Sequence, residues 1–192
     1  MKYNIIYADP PWQYHVWSQK GKGRTAENHY KTMPLSEICL LPVEQISAPD
    51  SVLFLWATFP NLQEAFEVIK SWGFTYKTIA FVWVKKNKKA DSLFWGLGHW
   101  TRANAEFCLL ATKGNPRRAS KSVHQIIMTP IEAHSKKPDE ARQRIVELMG
   151  DLPRIELFAR QATLGWDVWG NEVQSTIPEL LKGCPARERR AA

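Results

Sequence analysis

Apolar positions in this chain fall into two kinds of run, and the two alternate. Short hydrophobic blocks at Tyr3–Ala8, Ser51–Trp56, Thr75–Val84, Glu106–Ala111 and Arg154–Phe158 predict β-strands. Between the second and third, Leu62, Ala65, Phe66 and Ile69 recur at helical spacing. Asn61 is placed to cap that helix, Glu64 stands three residues on, and Gly73 stands where a helix ends. A second helix is predicted from about Pro138 to Met149. Pro138 suits its first turn, Asp139 and Glu140 suit the positive end of its dipole, and Gly150 stops it. Ala141, Ile145, Leu148 and Met149 share its apolar face. Leu35–Ile46 predicts a shorter helix broken at Pro42. Strands alternating with helices predict an α/β fold with a mostly parallel sheet.

No internal repeat and no Gly-, Pro- or Ser-rich linker divides the chain, so one domain over residues 1–173 is expected. Residues 174–192 have little periodicity, end in Arg187-Glu188-Arg189-Arg190 and predict a flexible tail. The polar, basic, Gly-containing stretch Gln13–Tyr30 predicts a mobile loop that could act as a lid.

Composition narrows the function classes. The chain has 192 residues, 44% of them hydrophobic, enough for one sizeable core. No apolar run is long enough to span a bilayer and no signal-peptide core opens the chain, so no membrane is expected as a partner. Cys39, Cys108 and Cys184 are far apart and odd in number, which predicts neither a disulfide framework nor a zinc cluster and points to a reducing cytoplasm. The histidines are scattered, and no metal site is expected. Neither a G-x-G-x-x-G nor a P-loop pattern occurs. Net charge is +7 and the sequence pI about 9.4. The excess clusters in three runs: Lys20, Lys22 and Arg24; Lys85, Lys86, Lys88 and Lys89; and Lys113, Arg117, Arg118 and Lys121. Basic loops between strands favour a nucleic acid partner. Of the nine tryptophans, most are expected in or beside the core.

The residues with most chemistry follow the first strand: Asp9-Pro10-Pro11-Trp12. A strand end is the usual place for a site in an open α/β sheet. The prolines stiffen the turn and lack N–H groups, so their carbonyls are expected to face outward without local donors. A carboxylate, free carbonyls and an aromatic wall could together grip an aromatic ring that bears an amino group.

Ala8-Asp9-Pro10-Pro11-Trp12 resembles the signature of the adenine amino-group methyltransferases whose eukaryotic members write N6-methyladenosine into mRNA. Tyr30-Lys31-Thr32-Met33 is similar to the family's Tyr-x-Thr-Met segment. Gly98-His99-Trp100, Asn104, Glu106 and Lys113-Gly114-Asn115-Pro116 are similar to its central region. His134-Ser135-Lys136-Lys137-Pro138-Asp139-Glu140, Ile155-Glu156-Leu157-Phe158-Ala159-Arg160 and Gly170-Asn171-Glu172 are similar to its cofactor half. The resemblance spans Tyr3 to Glu172 in order and spacing, and its single-domain form is like bacterial or phage members.

This resemblance implies a Rossmann-like, S-adenosyl-L-methionine-dependent methyltransferase with permuted motif order, the acidic turn preceding the cofactor strand. It implies transfer to adenine N6 in nucleic acid, DNA ahead of RNA, with unpaired adenines preferred. Asp9, Pro10, Pro11 and Trp12 become the implied catalytic set, with Trp12 and Tyr30 framing the base. Asp9, Lys137, Arg160, Asn171 and Glu172 become the implied cofactor set, Lys137 pairing with the methionine carboxylate. A homodimer is implied by pairing near the central segment. Ala159 departs from the family, which commonly has Gly there, and an upstream acidic segment of larger relatives has no counterpart before the first strand. Two alternatives stay open at this point: a cytosine amino-group methyltransferase, and a non-catalytic nucleic-acid-binding subunit.

Overall fold

The computed structural model describes residues 1–13, 32–96, 98, 100–132 and 136–177. The expected lid over Gln13–Tyr30, apart from Gln13, lies outside these residues. So do Tyr30, the first basic run, and the tail from residue 178.

Seven strands form one sheet: β1 (Tyr3–Ala8), β2 (Ser47–Ala57), β3 (Thr75–Lys86), β4 (Ala105–Lys113), β5 (Ile126–Pro130), β6 (Arg154–Leu157) and β7 (Asp167–Trp169). Their order is β5-β3-β4-β2-β1-β6-β7. β1 pairs in parallel with β2 and β6, β6 with β7, and β3 with β5. Only β4 runs against its neighbours, β2 and β3. The mostly parallel α/β expectation therefore holds. β5 and β7 were not foreseen, because each carries only about three apolar residues and no longer pattern.

Alternation along the central strands divides the core into two layers. Ile6, Leu53, Leu55 and Leu109 face helices α1 (Leu35–Cys39) and α3 (Leu62–Ser71). Ile5, Tyr7, Phe54, Trp56 and Phe81 face α4 (Asp139–Met149). The predicted break at Pro42 is present: α1 ends before it and α2 (Val43–Ile46) starts after it.

Helix ends differ from expectation in instructive ways. Asn61 makes no side-chain cap on α3. Its Oδ1 accepts the Thr58 hydroxyl at 2.8 Å, and its Nδ2 donates to the Gln13 carbonyl at 3.1 Å. The side chain ties down the segment after the acidic turn, which outweighs a local cap. Phe66 lies at the rim of the α3 stripe, edge-on to Tyr76 at 5.0 Å, while Val68 completes the buried face. Pro138 precedes α4 as its cap residue, with ψ 133°. Gly73 and Gly150 end their helices at φ 79° and 87°. Beyond β7 the chain returns onto it: the Thr176 N–H donates to the Val168 carbonyl at 2.8 Å, and Ile177 packs on the core.

Candidate active site

β1 leads to β2 on one side, while its other neighbour, β6, arrives from the far half of the chain. Outside the carboxyl ends of two such strands a crevice opens, because the loops leave in opposite directions. Here it is a cleft of about 300 Å³. Asp9, Pro10, Pro11, Trp12, Lys137, Arg160, Asn171 and Glu172 all line it. Residues expected at the acidic turn and in the cofactor half thus meet at one place.

The acidic turn is built differently from the sequence expectation. The Trp12 N–H donates to the Pro10 carbonyl at 2.9 Å, and the Met33 N–H donates to the Pro11 carbonyl at 2.9 Å. Both proline carbonyls are therefore engaged, correcting the idea that they lack donors. The tight turn folds its own next amide back, and the distant Met33 strap supplies the other. Pro10 retains its second lone pair for a ligand. Trp12 is buried, its Nε1 donating to the Trp56 carbonyl at 3.0 Å. It braces the turn and presents only part of its surface to the cleft.

A chain of charges crosses the floor. Lys137 Nζ donates to Asp9 Oδ2 at 2.8 Å and lies 3.2 Å from Glu106 Oε2. Glu106 Oε1 takes Lys85 Nζ at 2.5 Å. The Lys137 ammonium also sits 5.7 Å above the Trp56 ring. Burial raises the Asp9 pKa, and the Lys137 charge only partly opposes this. Burial also works against the Glu106 charge, but Lys137 and Lys85 outweigh it and hold its pKa below the ordinary glutamate value. Burial likewise opposes charge on Lys137, yet Asp9 and Glu106 prevail and raise its pKa, so the ammonium is firmly protonated.

The opposite wall comes from the ends of β6 and β7. Phe158 turns the chain at φ 61°, a left-handed conformation that is strained for a bulky residue, and packs edge-on to Trp169 at 5.4 Å. That turn swings Ala159 and Arg160 over the cleft. The Ala159 N–H donates to the Trp169 carbonyl at 3.0 Å. A Cβ on Gly170 would meet the Ala159 carbonyl oxygen at 2.1 Å, so the two loops approach as only glycine allows. Arg160 Nε lies 3.7 Å from Glu172 Oε1, and both side chains keep considerable exposure.

Glu106, Lys85, Phe158 and Trp169 had not been singled out as site residues. Glu106 reaches the cleft because β4 runs backwards, which puts its first residues at the edge where its neighbours end. The basic runs also separate. Lys85 and Lys86 end β3 at the cleft edge, whereas Lys113 ends β4 at the opposite edge, paired with Glu44 at 3.2 Å. Among the described residues, no helix is long and apolar enough to cross a membrane.

A mostly parallel sheet whose acidic turn opens on a polar cleft at its carboxyl edge is the architecture of the Rossmann-like methyltransferase class that the resemblance implies. Residues 3–172 match the MT-A70 family model, and the chain belongs to that family. It is 35% identical over 196 residues to the Type II methyltransferase M.MunI of a Mycoplasma species, a match covering 93% of this chain and 81% of that protein. It is 31% identical over 189 residues to an MT-A70-like N(6)-adenosine-methyltransferase of Arabidopsis thaliana, covering 96% of this chain and 26% of that protein. The METTL3 catalytic subunit of Homo sapiens is 30% identical over 176 residues, covering 90% of this chain and 28% of its own length. The chain thus spans about a quarter of these plant and human relatives.

Proposed function

We propose that the protein moves the methyl group of S-adenosyl-L-methionine to the N6 amino group of adenine in DNA, preferring unpaired bases. The observation that carries this is the meeting of Asp9 and Lys137 at 2.8 Å in one cleft. The donor set suits that cofactor: an ammonium for its carboxylate, Arg160, Asn171 and Glu172 for hydroxyls and amines, and the aromatic faces of Phe158 and Trp169 beside them. When bound, the cofactor supplies an electrophilic methyl on sulfur. An ammonium has three donors, and Asp9 and Glu106 take two of Lys137's, leaving one to meet a carboxylate.

Asp9 and the second lone pair of the Pro10 carbonyl accept the two N–H groups of the adenine amine. These bonds favour a pyramidal nitrogen, localise its lone pair and orient it. The product nitrogen is strongly acidic once methylated, so its extra proton leaves to Asp9 or water without prior deprotonation. Trp12 and Tyr30 frame the base. Asp9 lies at a strand end within the cleft, out of reach of a stacked, paired base, so a duplex requires extrusion and a single strand does not. RNA is the second reading, supported by the N(6)-adenosine-methyltransferase relatives. A non-catalytic subunit is disfavoured by the intact acidic turn, and a cytosine target by its aspartate. The proposal extends to a homodimer in the cytoplasm, the first checked by light scattering.

The test incubates the protein with labelled S-adenosylmethionine and matched single- and double-stranded DNA and RNA oligonucleotides, then identifies the methylated nucleoside. N6-methyldeoxyadenosine, formed fastest on single strands, is expected. Asp9→Ala lowers transfer by about 10²–10³-fold or more, the scale of losing one preorganised polar contact at the reacting group. Full activity of that variant, or equal turnover on paired duplex, overturns the corresponding part of the reading.

A further inference from the structure

Lys137 belongs to no regular element. It stands just before α4, so its reach to Asp9 depends on where the first turn of that helix is held. The buried face of α4 is Ala141, Ile145 and Met149, with one charged residue among them, Arg142. A buried ion pair is weak support for stability, since apolar side chains of similar volume often do as well or better. Arg142 calls for another reason.

Its contacts supply one. Arg142 Nε donates to Glu156 Oε2 and Nη2 to Glu156 Oε1, both at 2.7 Å, a two-pronged pair that fixes orientation as well as distance. Nη1 donates to Asp139 Oδ1 at 2.7 Å, two residues from Lys137. The guanidinium lies 5.5 Å from the centre of the Tyr7 ring. Tyr7 and Glu156 are partners in the β1–β6 ladder, one rung before Ala8 and Leu157, where the strands part to form the cleft. The Tyr7 hydroxyl accepts Trp56 Nε1 at 2.7 Å, and Trp56 is the ring beneath Lys137. A second cavity of about 220 Å³, lined by Tyr7, Arg142 and Glu156, shares Asp9 and Lys137 with the cleft.

We propose that Arg142 is a positioning residue: through Glu156 and Tyr7 it clamps the first turn of α4 to the last rungs of β1 and β6, and so seats Lys137 on Asp9. This rests on the proposed reaction, in which both residues act, but it has a readout that does not depend on that reaction. Around Asp9 stand Lys137, Glu106 from β4, Arg160 after β6, Cys108 and, behind the ladder, Glu156. Lys137 is the cation that most opposes the upward push of burial on Asp9. If the seat loosens, that opposition weakens and the Asp9 carboxyl titrates at higher pH.

Arg142→Met alone leaves Glu156 buried and unpaired and is expected to fold poorly. The test is therefore the double variant Arg142→Met/Glu156→Met, which replaces the pair by apolar side chains. Its melting temperature stays near that of the native protein. Its kcat/KM for methyl transfer falls by about 10²-fold, the scale of a reacting group misplaced by about 1 Å. In carboxyl-carbon NMR without cofactor, the Asp9 titration moves upward. Arg142→Lys, which keeps the charge but not the two-pronged fork, restores stability more than activity. A folded double variant with native turnover and an unmoved Asp9 titration overturns the proposal. If the native protein methylates nothing, the functional reading fails by itself, and the Asp9 titration still decides the role of Arg142.

Discussion

Replacing Lys137 by Met removes the cation shared by two partly buried carboxylates. Its side chain is only 10% exposed, against 25% for Asp9 and 15% for Glu106. Breaking a buried pair and leaving the partner uncompensated costs about 3–5 kcal/mol. Two features reduce this. Glu106 keeps Lys85 at 2.5 Å, and Asp9, a quarter exposed, lines the open cleft. A loss of about 2 kcal/mol follows, or about 4–8 °C in melting temperature at the slope usual for a domain of this size. The pH dependence has a definite sign. Without Lys137 the raised Asp9 pKa rises further, and a carboxyl raised on folding destabilises the native state increasingly as pH climbs from the ordinary aspartate value through the raised one. Glu106 loses part of its downward shift, a contribution that in the native protein is present above the ordinary glutamate value and lost as pH falls. Both effects make the deficit larger at pH 8 than at pH 5. Calorimetry of native and Lys137→Met proteins without cofactor at the two pH values measures it. Adding Asp9→Asn to the variant removes one stranded charge and recovers part of the loss. A deficit that is independent of pH, or larger at pH 5, refutes this account of the charge chain.

The remaining expectations concern pH and the loop contacts. Asp9 accepts the amine most strongly when ionised, so kcat/KM falls on the acid side at a pH above the ordinary aspartate range, because burial raises that group; a pH profile with its acid limb at or below that range contradicts the assignment. Gly170→Ala forces a Cβ against the Ala159 carbonyl, costs about 1–3 kcal/mol as overpacking does, and lowers turnover by displacing Arg160 and Asn171. Gly150→Ala is the control: its Cβ meets only Ala119 at 3.6 Å, so the cost is the backbone strain of about 1–3 kcal/mol at φ 87° and ψ 178°, a conformation nearly confined to glycine, and turnover at permissive temperature is unchanged. Melting curves and initial rates of the two variants separate these outcomes.

Much of the scaffold was legible locally. Alternation and helical spacing report which faces are buried, and five strands, α3, α4 and the break at Pro42 follow from them. β5 and β7 escaped because a strand of three to five residues with few apolar positions has no readable period. The acidic turn was legible as chemistry, since a carboxylate after a buried strand and before two prolines is unusual. Its hydrogen bonds were not, because the donor to Pro11 is Met33, beyond the intervening loop. Glu106 was visible only as part of a motif. Its nearness to Lys137 needs β4 to run antiparallel, and the apolar pattern of a strand is the same in either direction.

The amino-acid sequence alone determined the layered α/β class, the two faces of the sheet, the basic balance and the aspartate at the end of the first strand, because each is written in spacing over a few residues. Tertiary structure alone decided that Lys137 bridges Asp9 and Glu106, and that Arg142 grips the rung beneath them. Asp9 and Lys137 are 128 residues apart, and what joins them is strand order, direction and register. Those are settled by how whole faces pack against one another, and no local pattern of residues encodes them.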